Sequence, residues 1–186
     1  MKRWPLPLLL IAGPASAHGG TGLPGGLEAG FLHPLTGPDH LLAMVSVGIW
    51  GAFLGPPLIH ALPAIFPLMM VAGAELGMLG APMPPVELGV AASVLALGGA
   101  IAAGWRAPAW AACLLVGLFA LFHGYAHGRE LPSAADPLGY SAGFVLATGL
   151  LHLSGIALGT LKARARPIGA GIGLAGLWFV YRAVAS

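Results

Sequence analysis

Long uncharged stretches alternate with short breaks along this chain, and the pattern predicts membrane-spanning helices. Residues 40–74 carry no Asp, Glu, Lys or Arg, which is too long for one span, and Gly55-Pro56-Pro57 divides the stretch in two. A helix needs about 20 apolar residues to cross a bilayer. Four more uncharged stretches come close to that length: 88–105, 107–128, 137–161 and 167–181. We therefore predict six helices, at roughly 27–54, 58–79, 86–104, 107–127, 138–160 and 167–184.

The N-terminus has the pattern of a secretory signal peptide. Lys2 and Arg3 precede a short apolar run over residues 6–12, and Ala15-Ser16-Ala17 is a small-residue cleavage site. The apolar run is too short to span a bilayer. We predict cleavage after Ala17, so that residues 1–17 are a signal peptide and residues 18–186 form a single six-helix transmembrane domain. An uncleaved N-terminal anchor is the alternative.

The composition supports a membrane protein. Hydrophobic residues make up 58% of the chain and charged residues only 8%, whereas soluble domains carry about 25% charged residues. A soluble enzyme, a nucleic-acid-binding protein and a disordered chain are therefore excluded, and membrane lipid is the expected surrounding. Connections that are short and rich in Pro and Gly predict a compact all-α bundle. The single cysteine, Cys113, lies in an apolar run and indicates neither a disulfide framework nor a thiolate cluster.

The cationic residues predict the orientation of the bundle. Lys162, Arg164 and Arg166 lie between the fifth and sixth spans, and Arg106 lies between the third and fourth. The positive-inside rule places both loops in the cytoplasm. This orientation puts the mature N-terminus outside, as a cleaved signal peptide also requires. We therefore predict a multi-pass protein of a bacterial-type inner membrane, with a periplasmic N-terminus.

A first polar motif, His33-Pro-Leu-Thr-Gly-Pro-Asp39-His40, lies early in the first span. Two prolines and a glycine within eight residues do not fit a regular helix, so we predict that the first helix is broken here. Ionisable residues are costly inside a membrane and indicate a functional site. A divalent cation would compensate the Asp39 carboxylate and be ligated by the histidines. The alternative is an Asp39–His40 hydrogen bond that only fixes a kink.

A second motif closes the fourth span and contains His123, His127 and Glu130. His123 and His127 are four residues apart and share a helical face, and Glu130 joins them if the helix continues. Paired imidazoles favour a transition-metal ion over Mg²⁺ or Ca²⁺. The alternative is a polar cluster at the membrane interface.

Four more residues are candidates for ion handling. The predicted topology puts Glu75 and Glu87 at the outer face with both motifs, although they also fit ordinary interface carboxylates. His152 lies deep in the fifth span, where it is either a step toward the cytoplasm or a packing residue. His18 would become the first residue of the mature chain, able to chelate through its amine and its ring.

With these motifs assembled, the sequence resembles the HupE/UreJ family of nickel permeases over essentially the whole mature chain. The resemblance rests on the string from His33 through Asp39-His40-Leu-Leu-Ala-Met44, on Phe122-His123-Gly-Tyr-Ala-His127-Gly-Arg-Glu130 and on the stretch that ends at His152. It implies uptake of Ni²⁺, with Co²⁺ as the second candidate, across the inner membrane to supply hydrogenase or urease assembly. It carries over six ion-handling residues: His33, Asp39, His40, His123, His127 and Glu130. Proteins that mature nickel enzymes are the partners this family role implies.

We therefore expect a permease, not an enzyme, with a transported ion and no prosthetic group. One alternative is an intramembrane zinc-dependent hydrolase built from His40, His123, His127 and Asp39, with Ser46 or Ser154 nearby. Another alternative is a metal-binding accessory protein that transports nothing. The sequence does not predict the oligomeric state, the energy coupling or the choice between Ni²⁺ and Co²⁺.

Overall fold

The computed structural model describes residues 26–130 and 136–185. Within these ranges the chain is helical, without strands. The helices are α1 (Leu27–Thr36), α2 (Pro38–Leu54), α3 (Leu58–Met78), α4 (Val86–Ala103), α5 (Ala109–Glu130), α6 (Pro137–Thr160) and α7 (Lys162–Ala185). The predicted signal peptide and His18 lie outside the described residues.

The predicted break in the first span lies at Gly37. This residue has extended backbone angles (φ −87°, ψ 105°), and Pro38 follows as the first residue of α2. A proline is well suited to that position, because the first helical N–H groups have no partner within the helix. Pro34 lies inside α1 instead of ending it. The first predicted helix is therefore two helices, α1 and α2.

Five helices, α3 to α7, have the length and apolar composition of membrane spans, and α2 is a shorter apolar helix of 17 residues. The bounds of α3, α4 and α6 agree with prediction to within a residue or two. The structure begins α7 at Lys162 instead of 167 and extends α5 to Glu130 instead of 127. Both differences arise because the prediction placed the start of α7 and the end of α5 next to charged residues, at the edge of the apolar segment. A helix can continue past the apolar segment into the polar interface.

Glycines hold the helices together in closely packed pairs. A Cβ atom on Gly73 of α3 would lie 2.3 Å from the Leu121 carbonyl oxygen of α5, and one on Gly155 of α6 would lie 2.2 Å from the Val45 carbonyl oxygen of α2. A Cβ atom on Gly98 of α4 would likewise lie 2.4 Å from the Gly173 backbone nitrogen of α7. Close backbone approach through small residues is typical of helix packing in membranes.

Large apolar side chains cover much of the outside of the bundle. Leu68, Leu114, Leu153 and Leu174 are each more than 60% exposed, whereas their helices bury glycines and alanines on the inner side. An apolar exterior of this kind fits a hydrocarbon surrounding, since lipid covers the leucines. The chain is a multi-pass membrane protein.

Arginine and tryptophan gather at the end of the bundle where α2 ends and α5 begins. The Trp50 and Trp105 rings stack 5.6 Å apart, and the Arg106 guanidinium lies 5.4 Å from the Phe53 ring centre. Arg166 Nε donates to the Ala102 carbonyl at 3.0 Å. These residues are typical of a membrane–water interface, and Arg106 and Arg166, two of the cations used to predict the orientation, share this end of the bundle.

Candidate metal site

Asp39 and His40 lie in the first turn of α2, directly after the break at Gly37. Asp39 Oδ1 accepts hydrogen bonds from the His40 backbone N–H at 2.8 Å and from His40 Nδ1 at 2.9 Å. The carboxylate also lies at the positive end of the α2 dipole, which favours its charge. The Asp39–His40 hydrogen bond that the sequence suggested is therefore present.

This hydrogen bond also fixes where the lone pair of His40 lies. A carboxylate only accepts hydrogen bonds, so Nδ1 carries the proton and Nε2 of the neutral ring carries a free lone pair. His40 Nε2 is buried and has no hydrogen-bond partner among the described residues. A buried acceptor without a partner is costly, so a group that pairs with it would be stabilising. The bond to Asp39 thus orients the ring and leaves Nε2 as a donor atom for a cation.

His123, on α5, is held by a residue that the sequence motifs did not include. The Ser93 hydroxyl on α4 donates to the Val90 carbonyl at 2.6 Å and lies 2.9 Å from His123 Nε2. A hydroxyl has one hydrogen, which the bond to Val90 uses, so His123 Nε2–H donates to the Ser93 oxygen. The lone pair of His123 therefore lies on Nδ1, which is buried and, in the part of the chain that the structure describes, lacks a hydrogen-bond partner.

The four motif histidines lie in one contact network. Ring centroids are 4.7 Å apart for His40 and His123, 4.8 Å for His40 and His127, and 4.8 Å for His33 and His127. The Phe144 ring packs 4.4 Å from His127. Two motifs that are more than eighty residues apart in sequence therefore meet in the fold, with α1 and α2 on one side and α5 on the other.

The rings of this network pack edge to face. In the part of the chain that the structure describes, no group of three or more His, Cys, Asp or Glu side chains has the arrangement of a formed metal site. Several ring nitrogens would converge on one ion only if the imidazoles shifted from this edge-to-face packing.

The remaining candidate residues lie in different surroundings. Glu75 and Glu87 are exposed, on α3 and α4. The helix that carries His127 does continue to Glu130, whose side chain lies outside the described part. His152 is buried on α6 with its ring centroid 5.4 Å from that of Phe66, which also lies 5.5 Å from His123.

Ser93 and Phe66 are the contacts that sequence reasoning missed. Ser93 is a single hydroxyl in an otherwise apolar stretch of α4, and Phe66 is one apolar residue among many in α3. A serine in such a stretch is a weak signal of a polar partner. Only the packing of α4 against α5 reveals which residue that partner is.

Comparison with known proteins supports the family resemblance that the motifs indicate. A family model described as HupE / UreJ protein matches residues 6–179. "Protein HupE" of Rhizobium leguminosarum bv. viciae is 41% identical over 176 residues, which cover 91% of this chain and 92% of that relative. No solved structure matches. The hydrolase alternative is therefore wrong, because the chain belongs to the HupE/UreJ family, whose members are metal permeases of the nickel/cobalt transporter type and not enzymes.

Proposed function

We propose that this protein takes up Ni²⁺, or Co²⁺ as the second candidate, from the periplasm through the histidine network. The observation that carries the proposal is a pair of buried ring nitrogens, His40 Nε2 and His123 Nδ1, in rings whose centroids are 4.7 Å apart; within residues 26–130 and 136–185 neither nitrogen has a hydrogen-bond partner. Imidazole nitrogen suits Ni²⁺ and Co²⁺. His33 and His127 pack against these rings and extend the set of nitrogen donors.

Carboxylates complete the proposed capture site. Asp39 supplies a negative charge next to His40, and its side chain is 37% exposed, so that it also faces an approaching cation. Glu130 follows the network on α5, while Glu75 and Glu87 provide further negative charge at the outer face. His18 would add a ligand if the mature chain begins there.

The proposed topology has six spans, with α1 and α2 together forming a broken first span. The arginine-rich end faces the cytoplasm and the end that carries α1 faces the periplasm, in agreement with the positive-inside rule. Residues 1–17 would then be removed as the signal peptide. Intact-mass analysis of the purified protein tests the last point, since cleavage predicts a chain that begins at His18.

A transport site must release its ion as well as bind it. A small set of neutral imidazoles with a few carboxylates meets this requirement better than a closed site of four fixed ligands. His152, deeper in the bundle, is the next ligand that we propose on the inward path. Nickel released on the cytoplasmic side would supply hydrogenase or urease maturation proteins, the role that the family resemblance implies.

Uptake into liposomes tests this function. The full-length protein would be reconstituted with a Ni²⁺-sensitive dye inside, and wild type would be compared with His40→Ala and His123→Ala. Loss of either nitrogen should lower the initial uptake rate by about 10-fold or more. His60→Ala is the matched control, because His60 is an exposed histidine on α3, and this variant should transport like wild type.

Two outcomes would overturn the proposal. A correctly inserted wild type that binds Ni²⁺ in detergent but gives no dye signal would indicate the accessory metal-binding protein instead. Uptake that survives in both His40→Ala and His123→Ala would mean that the ion takes a path outside the histidine network.

A further inference from the structure

The ring of Phe66 contacts both His123 of the histidine network and His152. Its centroid is 5.5 Å from that of His123 and 5.4 Å from that of His152. Phe66 is 0% exposed and His152 is 3% exposed. A buried aromatic ring is therefore a shared neighbour of the two imidazoles inside the bundle.

The two histidines lie at different depths. At 1.5 Å per residue, His123 is roughly 10 Å along α5 from its end at Glu130, whereas His152 is roughly 22 Å along α6 from its start at Pro137. Both of these helix ends lie on the side that we assign to the periplasm. A step from His123 to His152 is therefore a step inward, between two histidines that both contact Phe66.

His152 has the same kind of free donor atom as the outer histidines. The backbone of Pro63 lies beside its ring, and because proline has no N–H, the ring can only donate to the Pro63 carbonyl. That carbonyl is available because Pro67, four residues later in α3, cannot donate the usual helical bond. His152 Nε2 is buried, and none of the residues that the structure describes is hydrogen-bonded to it.

The segment of α3 around Phe66 also has fewer backbone hydrogen bonds than a helix without proline. Pro63 and Pro67 both lie inside the helix and flank Phe66, and each removes a backbone hydrogen bond. Helices bend most readily at such positions. A groove lined by Pro67, Met70, Phe144 and Thr148 adjoins this segment between α3 and α6, which offers space for a displaced side chain.

From this arrangement we infer that Phe66 is the barrier residue between the outer capture site and His152, which receives the ion on the inner side. A hydrophobic constriction blocks an ion because it offers no replacement for the hydration shell. Movement of the Phe66 ring would let the ion pass from His123 to His152. The prolines on either side of Phe66 permit that movement. The inference rests on the proposed transport function and names the residue that controls passage of the ion.

Variants of different side-chain size at position 66 test the barrier in the liposome assay. Phe66→Leu and Phe66→Ala should raise the Ni²⁺ flux down its gradient, in that order, by about 10-fold for the alanine variant. Phe66→Trp should lower the flux by a similar factor. Ni²⁺ affinity in detergent should change by less than about 3-fold in all three variants, because their outer nitrogens are intact. That affinity also reports whether each variant is folded.

Two further variants complete the experiment. Phe119→Leu is the matched control, a change at a buried aromatic residue of α5, and should leave the flux unchanged. His152→Ala should lower the flux but preserve Ni²⁺ binding at the outer site. These variants separate a barrier effect from a general loss of core packing.

The possible failures are distinguishable. If wild type transports Ni²⁺ but the flux of the folded variants does not follow the size of residue 66, or His152→Ala transports normally, the barrier is wrong and the permease stands. Because Phe66→Leu and Phe66→Trp are conservative, one folded variant with wild-type flux suffices to overturn the inference. If wild type itself carries no Ni²⁺, the proposed function fails and the barrier fails with it.

Discussion

His123 Nε2 lies 2.9 Å from the Ser93 hydroxyl, thirty residues away on another helix. This single contact determines which nitrogen of His123 is left as a donor atom, because the hydroxyl uses its own hydrogen on Val90. An imidazole ligand is generally fixed in its tautomer by the partner of its other nitrogen. Ser93 is therefore a positioning residue for the proposed metal site.

Replacing Ser93 by Ala should weaken Ni²⁺ binding by about 10–100-fold, since His123 would lose the acceptor that keeps Nδ1 unprotonated. Isothermal titration of the detergent-solubilised protein measures the affinity. Ser93→Thr keeps the hydroxyl and should restore most of it. Ser154→Ala is the control, because Ser154 makes a similar bond to the Leu150 carbonyl but is exposed. Equal affinity for Ser93→Ala and wild type would refute the positioning role.

Asp39→Asn tests the charge beside His40 at nearly constant shape. The amide oxygen can still accept from the His40 N–H groups, but the hydrogen bonds lose their ionic character and become weaker. We expect Ni²⁺ uptake to fall by about 10-fold or more. Glu28→Gln removes an exposed carboxylate from α1 and should leave uptake unchanged. A normal rate for Asp39→Asn would show that Asp39 acts only as a hydrogen-bond acceptor.

Uptake should weaken as the external pH falls. An imidazolium carries a proton on both nitrogens and has no lone pair for a metal, and the ordinary pKa of an imidazole is about 6.5. The initial rate should therefore decline between about pH 7.5 and about pH 5.5, with the internal pH held constant. A rate that is flat or rises over this range would count against capture by histidine.

The glycine contacts predict where the bundle is sensitive to a methyl group. Gly73→Ala would place a Cβ atom 2.3 Å from the Leu121 carbonyl oxygen, so α3 and α5 would have to separate. We expect a loss of about 1–3 kcal/mol in the free energy of unfolding. Gly171→Ala meets nothing within 4 Å and should change stability by less than about 1 kcal/mol. Thermal unfolding in detergent compares the two, and equal stability would contradict the close contact.

Much of the helical architecture was predictable because it depends on local pattern. Uncharged stretches between Pro- and Gly-rich breaks predicted α3, α4 and α6 closely, and the density of Pro and Gly around Gly37 predicted the break between α1 and α2. The start of α7 at Lys162 was missed, since the charge pattern marks the edge of the apolar segment and not the end of a helix.

The candidate site was predictable in its parts but not in its connections. The i, i+4 spacing of His123 and His127 follows from helix geometry. The contact between His33 and His127, the Ser93 bond and the place of Phe66 all depend on which helices pack together. Such long-range relations leave no periodic signal in a single sequence, so only the fold reveals them.

The glycine-mediated packing has a consequence for movement. α3 and α5 are in backbone contact, as are α2 and α6, so each pair is expected to move as a rigid body. His123 belongs to the first body, whereas His40 and His152 belong to the second. A small rotation of one body against the other would change the His40–His123 and Phe66–His152 separations together, coupling ion capture mechanically to passage inward.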